Sequence, residues 1–341
     1  MKVGITPLIA ENTVPTNVKN LAVFNGSTKL GNVDISNMRP QNLGAKLFSF
    51  GALSDVHVVV DYPYTKANFK KAIDYFNNVA KVNFICIAGD LTAQGTADQY
   101  AFYKNAVTEC SPNTPVYDIT GNHDVETFTG TTDAVKPYLG EDLYHSFTQG
   151  NDLFIMFGMQ GWKTTGETFS NDSLQWLYDT LEANRNKRCF VFEHCPRFDG
   201  SGNPYTPVPT GDILLSSSGT IFKRLMEHYK NAIWFHGHTH ITFEAQKDCS
   251  YANYDRLHGC HSVHIPSTMA IKTLNSAGTG YDGDTTKPMG YVVDVYENHI
   301  ILRGIDFGSN EFVPIATYCL DTTPQTITEK TFKDSTGTIK T

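Results

Sequence analysis

An α/β layer architecture is the fold class this sequence predicts, and three observations predict it. Short apolar runs of strand length alternate with segments whose apolar residues recur at helical spacing. Several of the runs end abruptly in Asp, Asn, Gly or His, as strands do where they open into a site-forming loop. Hydrophobic residues make up 40% and charged residues 18% of 341 positions, which suffices for a substantial core and excludes disordered, collagen-like and coiled-coil chains.

The elements follow in order. Leu47–Leu53 (LFSFGAL) reads as a buried strand, and Phe69, Ala72, Ile73, Phe76 and Ala80 then fall on one face of a helix. Phe84–Ala88 (FICIA) is the next strand. Thr96 and Gln99 have capping-box spacing before a helix carrying Tyr100, Tyr103 and Val107. Val116–Ile119 is a third strand, and Leu153–Phe157 after the turn-rich 149–152 predicts a hairpin. Leu174, Leu177 and Leu181 mark a helix, Cys189–Phe192 a strand, Phe222, Leu225, Met226 and Tyr229 a helix, and Ile233–Phe235 a strand. Tyr291–Val295 and Ile300–Ile305 close as a hairpin around Glu297-Asn298.

Three segments are expected: an N-terminal β-hairpin extension over 1–45, a main domain over 46–310 and a C-terminal tail over 311–341. The extension holds Ala22–Phe24, an Asn25-Gly26 turn and Val33–Ile35. Two long loops, Pro196–Asp212 and Asn275–Pro288, have the length of lids or substrate walls. There is no internal repeat.

Lys and Arg number 27 against 35 Asp and Glu, a net charge of −8, so long nucleic acid and anionic membrane are poor partners. No apolar run reaches the roughly 18 residues a membrane helix needs, and the N-terminus does not read as a secretory signal. The seven cysteines are odd in number and contain no CxxC pair, which suits a reduced chain. A cytoplasmic location is expected, with a virion-associated or surface location kept open; the oligomeric state is not specified.

Five strands lead directly into metal-ligand residue types: Asp55 and His57, Asp90, Asn122-His123-Asp124, His194, and His236 to His240. Converging on one sheet edge, these carboxylates would repel one another unless cations neutralised them. Mixed Asp, Asn and His ligation suits Mn, Fe or Zn better than Ca or Mg. Asp90, on a middle strand, is the natural bridge between two ions.

The set Asp55-x-His57, Gly89-Asp90, Gly121-Asn122-His123-Asp124, His194 and Gly237-His238-Thr239-His240 resembles the calcineurin-like metallophosphoesterase superfamily over roughly residues 47 to 305. The resemblance implies a four-layer αββα sandwich of the metallo-dependent phosphatase type, with the small N-terminal β extension added. It implies one metal held by Asp55, His57, Asp90 and His240 and a second by Asp90, Asn122, His194 and His238. His123 corresponds to the acid that protonates the leaving group, with Asp124 orienting it, and Asn122 and His123 also face substrate. The implied reaction is two-metal hydrolysis, in which a bridging hydroxide attacks phosphorus in line.

The departures narrow the substrate. The GDLTAQG segment lacks the Arg of the protein Ser/Thr phosphatases and the Tyr of the purple acid phosphatases. A dianionic monoester gains more from such a clamp than a monoanionic diester does, so a small or nucleotide-type phosphodiester is the expected substrate. Arg197, near His194, is a candidate phosphate contact. The alternatives are a phosphomonoesterase of the same fold, or a non-catalytic virion or surface binding protein with a structural metal site, which would have no use for a proton donor such as His123. His258, Cys260, His261 and His264 have loosely zinc-like spacing and are expected in the β-layer after the site, two of them facing the crevice.

Overall fold

Strand β3 (Lys46–Leu53) shows how the layers form: Phe48, Phe50 and Ala52 point to one core and Leu53 to another, so both faces of its sheet are covered. The computed structural model describes residues 20–25, 28–34, 43–125, 142–163, 166–196, 217–243, 254–255, 260–274 and 281–321. Within these, two six-stranded sheets lie face to face. The first has the order β18-β17-β16-β3-β4-β5, where β4 is Phe84–Ile87, β5 Val116–Asp118, β16 Met289–Tyr296, β17 His299–Asp306 and β18 Glu311–Asp321. β3, β4 and β5 run parallel, and β16 to β18 add an antiparallel half. The second has the order β12-β13-β11-β10-β7-β6. Its strands β7 (Asp152–Phe157), β10 (Cys189–Phe192), β11 (Ala232–His236) and β13 (His261–His264) are parallel. Antiparallel β6 (Tyr144–Gln149) and β12 (Tyr254–Asp255) form its edges.

The layer between the sheets is aromatic. Phe50 meets Phe154, Phe190 and Phe235 of the opposite sheet at 5.2, 5.4 and 5.9 Å between ring centroids. Phe154 stacks on Phe190 at 4.5 Å and Phe192 on Phe235 at 4.9 Å. Each buried Phe contributes about 1.5–3 kcal/mol, and each such ring pair about 0.5–1.5 kcal/mol more.

Helices cover the outer faces. α1 (Pro63–Asp74) begins with Pro63 in the first turn, where a missing N–H costs nothing, and buries Phe69, Ala72 and Ile73. It runs on into a π-helical turn, Tyr75–Ala80, which lays Phe76 against Gly51 of β3. α2 (Ala97–Cys110) buries Tyr100 and Tyr103, and the Tyr103 hydroxyl donates to Asp118 at the end of β5. Half of the capping box is made: Thr96 Oγ1 accepts from Gln99 N. Gln99 Oε1 instead accepts from Ala93 N and Gln94 N, which ties α2 to the loop after β4. Across the molecule, α4 (Asn171–Ala183) and α5 (Ser217–His228) cover the second sheet through Leu174, Leu177, Phe222 and Leu225. The layers are therefore α, β, β, α. The short α3 (Asn122–Val125) belongs to the site.

The extension forms a hairpin of β1 (Asn20–Asn25) and β2 (Thr28–Asp34). Its register pairs Asn25 with Thr28, which puts Asn25 in strand β1 rather than in the expected turn. β18 carries the first sheet past position 310, where the tail is expected to begin. Two antiparallel ribbons stand beside the sheets, β8 (Gly161–Lys163) with β9 (Gly166–Thr168) and β14 (Ile271–Leu274) with β15 (Tyr281–Asp284).

Candidate metal centre

The site lies where β3, β4, β5, β10 and β11 end. Backbone hydrogen bonds join four of these five loops in pairs before any side chain acts. Asp55 N donates to Gly89 O at 3.0 Å, His57 N to Asp90 O at 2.9 Å and Gly237 N to His194 O at 3.0 Å. Asp55 (φ 50°), His57 (40°), Asp90 (52°), His238 (72°) and His240 (59°) all adopt left-handed backbone. That conformation costs a residue with a Cβ about 1–2 kcal/mol, and such residues gather where geometry serves a site. Two glycines are needed because a carboxylate lies against them. A Cβ on Gly121 would overlap Asp90 Oδ1, and one on Gly237 would overlap Ser54 Oγ and Asp55 Oδ2.

These bends bring together two donor groups. Asp55, His57, Asp90 and His240 place ligand atoms within 4.8 Å of one another, as do Asp90, His194 and His238. Asp90 is common to both. Asn122 joins the second group, its Oδ1 lying 2.9 Å from His238 Nδ1 and 3.2 Å from His194 Nε2. Three rings are held from behind: His57 Nδ1 donates to Thr92 O at 2.9 Å, His194 Nδ1 to Ala88 O at 2.7 Å and His240 Nδ1 to Ala270 O at 3.1 Å. A carbonyl can only accept, so each Nδ1 carries a hydrogen and Nε2 is the atom turned inward, with a lone pair wherever the ring is neutral.

That tautomer leaves electron-rich atoms facing one another. His240 Nε2 lies 3.0 Å from Asp55 Oδ1, and His57 Nε2 lies 3.5 Å from Asp90 Oδ2. Asp55 Oδ1 and His57 Nε2 are buried with no hydrogen-bond partner among the described residues. Buried polar atoms without partners are costly, and lone pairs converging on lone pairs are what a cation relieves. The residues therefore fit a metal pair. Burial pushes His57 down to about 4 and His238 down to about 3, favouring the neutral imidazoles that metals need. Burial would raise Asp55, but the neighbouring His240, His194 and His57 hold it well below the usual carboxylate range. Burial would likewise lower His194, yet the Asp90 carboxylate at 3.2 Å lifts it to about 10.

His123 stands at the mouth, half-buried, its ring 4.9 Å from that of His57. Its backbone N–H donates to Asp90 Oδ1 at 3.0 Å, and its Nδ1 is 2.9 Å from Ala93 O. Asp124 binds the backbone of the surrounding loops. Its Oδ1 accepts from Thr92 N and Thr92 Oγ1, both at 2.8 Å, and its Oδ2 from Leu91 N at 2.9 Å and Gly121 N at 2.8 Å. Asp124 thus clasps the loop that carries Ala93, and Ala93 orients the ring.

A cleft of about 730 Å³ opens over the site, within the size range of small-molecule pockets. Tyr62 lines it, as do Trp162 and Lys272, which sequence reading missed. Trp162 is on ribbon β8–β9, 5.6 Å from His238 between ring centroids. Neither ribbon residue carries a motif, so only the fold could reveal them. Arg197 and His258 lie outside the described residues. His261 and His264 are on β13 and do not line the cleft. His264 Nε2 instead meets Thr239 Oγ1 at 2.7 Å, bracing the turn from behind. No helix among the described residues is long and apolar enough to cross a membrane.

The sequence profile of the calcineurin-like phosphoesterases matches residues 48–242. The chain superposes on a dimetal phosphatase from Danio rerio with a TM-score of 0.59 at 13% identity, covering 82% of this chain and 100% of that one. It also aligns with a predicted phosphoesterase from Streptococcus pneumoniae (TM-score 0.37, 10% identity, 81% of this chain and 98% of that one). A phosphatase from Mycoplasma pneumoniae gives a TM-score of 0.36 at 13% identity, covering 80% and 92%. No curated protein matches the chain at the sequence level.

Proposed function

Because this chain belongs to the calcineurin-like phosphoesterase family and is thereby a phosphoester hydrolase, we propose that its substrate is a small phosphodiester. The observation that carries the reading is the pair of donor groups sharing Asp90 at the floor of an open cleft. In this reading Asp55, His57, Asp90 and His240 hold one ion of the Mn, Fe or Zn kind, and Asp90, Asn122, His194 and His238 hold a second. Such ions supply Lewis acidity toward phosphoryl oxygens and a nucleophile at neutral pH.

The protein's own groups do the rest. The carbonyls of Thr92, Ala88 and Ala270 fix three rings so that Nε2 faces the centre. His123, turned by Ala93 O, keeps its Nε2 for the cleft, where it gives a proton to the departing oxygen. Asp124 is a positioning residue, acting through the loop from Leu91 to Ala93. The loop after Asp90 supports the preference for a diester, since its Ala93 and Gln94, both uncharged, line the cleft. A monoanionic phosphoryl group needs less positive charge there than a dianionic one.

The test compares kcat/KM for bis(p-nitrophenyl) phosphate and p-nitrophenyl phosphate with the same added Mn²⁺. Faster turnover of the diester is expected. A clear preference for the monoester, lost in Arg197→Ala, would show that a cation outside GDLTAQG provides the clamp and that the protein is a phosphomonoesterase.

A further inference from the structure

The cleft walls carry opposite charges. Asp61 and Tyr62 line the cleft near His57, and 269–272 with Gly283 line it as well, bringing Lys272. Among the described residues Lys272 is the one Lys or Arg lining the cleft, and no carboxylate of the described residues pairs with it. Its backbone is rigidly placed. Lys272 N donates to His240 O at 2.7 Å, Lys272 O accepts from Thr242 N at 3.1 Å, and the residue pairs with Gly283 across β14 and β15. A lysine whose main chain is bonded to that of His240, yet whose ammonium makes no ion pair with Asp55 or Asp90, stands beside the donor groups and not among them.

We propose that Lys272 is a specificity-determining residue that binds a second anionic group of the substrate, separate from the phosphoryl group being cleaved. The inference rests on the phosphodiester reading for the cleaved group and adds the chemistry of the remainder. Two features support it. A cleft of about 730 Å³ is far larger than one phosphate requires. Asp61 also lines the cleft and repels an anion, so a further negative charge on the substrate is favoured at Lys272. A phosphoryl group or a carboxylate would both satisfy an ammonium, whose three donors impose no planar geometry.

The experiment measures binding to the full-length, Mn²⁺-loaded protein by titration calorimetry, with orthophosphate, methylenediphosphonate and phosphonoacetate as probes. Wild type is expected to bind at least one of the two-anion probes more tightly than orthophosphate. Lys272→Met should shrink that advantage by about ten- to a hundredfold, the worth of one charge-assisted hydrogen bond, with orthophosphate binding nearly unchanged. Lys272→Arg should restore most of it, and Lys70→Met, which removes an equal charge from a residue of α1 that does not line the cleft, should leave it intact. Loss for methylenediphosphonate alone assigns the second group as phosphoryl, and equal loss for phosphonoacetate shows that a carboxylate also serves. An equal loss for orthophosphate would overturn the proposal, since Lys272 would then clamp the cleaved phosphoryl itself. An unchanged ratio in Lys272→Met would overturn it as well. If wild type favours the two-anion probes through Lys272 but hydrolyses no diester, the inference about Lys272 stands and the diester reading falls.

Discussion

Asp90 is common to both donor groups, and its consequences are sharp at the level of one side chain. One oxygen accepts from His123 N while the other faces His57 and His194. Asp90→Asn keeps the shape and removes the charge shared by both donor groups. Elemental analysis should find close to two transition-metal equivalents in wild type and well under half of that in the variant. A fully loaded Asp90→Asn protein would remove Asp90 as the bridge. His123 separates chemistry from binding: His123→Ala should keep its metals while kcat falls by roughly 10²–10⁴ for substrates with poor leaving groups. The loss should be much smaller for nitrophenolate, which departs without a proton. Equal losses for both kinds of leaving group would mean that His123 is not the acid.

The turn after β11 shows what an element adds to its residues. His238 and His240 both need positive φ, and the backbone between them folds back so that Thr239 N donates to Gly237 O at 2.9 Å. The turn is braced from three sides, by His264 on Thr239, by Asp55 Oδ2 accepting from His238 N at 3.0 Å, and by Lys272 N on His240 O. Gly237→Ala pushes a methyl into Asp55 and Ser54, so the carboxylate must move or the turn must open. The variant should lose metal affinity and melt several degrees lower, which metal titration and calorimetry would show. An Ala variant with wild-type affinity would mean that the turn relaxes freely. The loop after β4 gives a parallel case. Asp124→Ala strands Leu91 N, Thr92 N and Gly121 N, all paired to that carboxylate, at about 1–3 kcal/mol for each donor left buried. Denaturant unfolding should register a loss of more than about 2 kcal/mol even for metal-free protein.

For the whole molecule, the site is a place where stability is lost and metal restores it. Left-handed backbone at five residues of the two donor groups and lone pairs facing lone pairs both oppose folding without a cation. Chelation should therefore lower the melting temperature substantially, and added Mn²⁺ should restore it, because a ligand that binds only the folded state stabilises it by mass action. A melting temperature indifferent to chelator would contradict the assignment of these residues as ligands. The aromatic layer between the sheets lets the strained edge persist. Phe50, Phe190 and Phe235, packed around Phe154 of β7, anchor strands that lead into the site without contributing a polar atom to it.

Much of this was written locally. The strand and helix periods, the cap at Thr96 and the hairpin around Glu297-Asn298 depend on neighbours in sequence, and the structure bears them out. The ligand residue types were legible because each follows its strand immediately, and the ends of parallel strands meet at one edge. What stayed hidden depends on contacts between distant segments. The π-helical turn after α1 and the use of Gln99 on the preceding loop reflect tertiary packing that overrides local pattern. The service of Asp124 to a loop, and the backing of His264 behind the turn, are hydrogen bonds across 25 or more residues. Trp162 and Lys272 reached the cleft because two short ribbons fold over it, and a Trp or Lys on a ribbon has no spacing that marks it in advance. Local periodicity and strand order set which elements form and which residue types follow the strand ends. Bringing those ends together from two facing sheets, and setting which lone pairs meet and what lines the cleft, depends on the close approach of segments far apart in the chain.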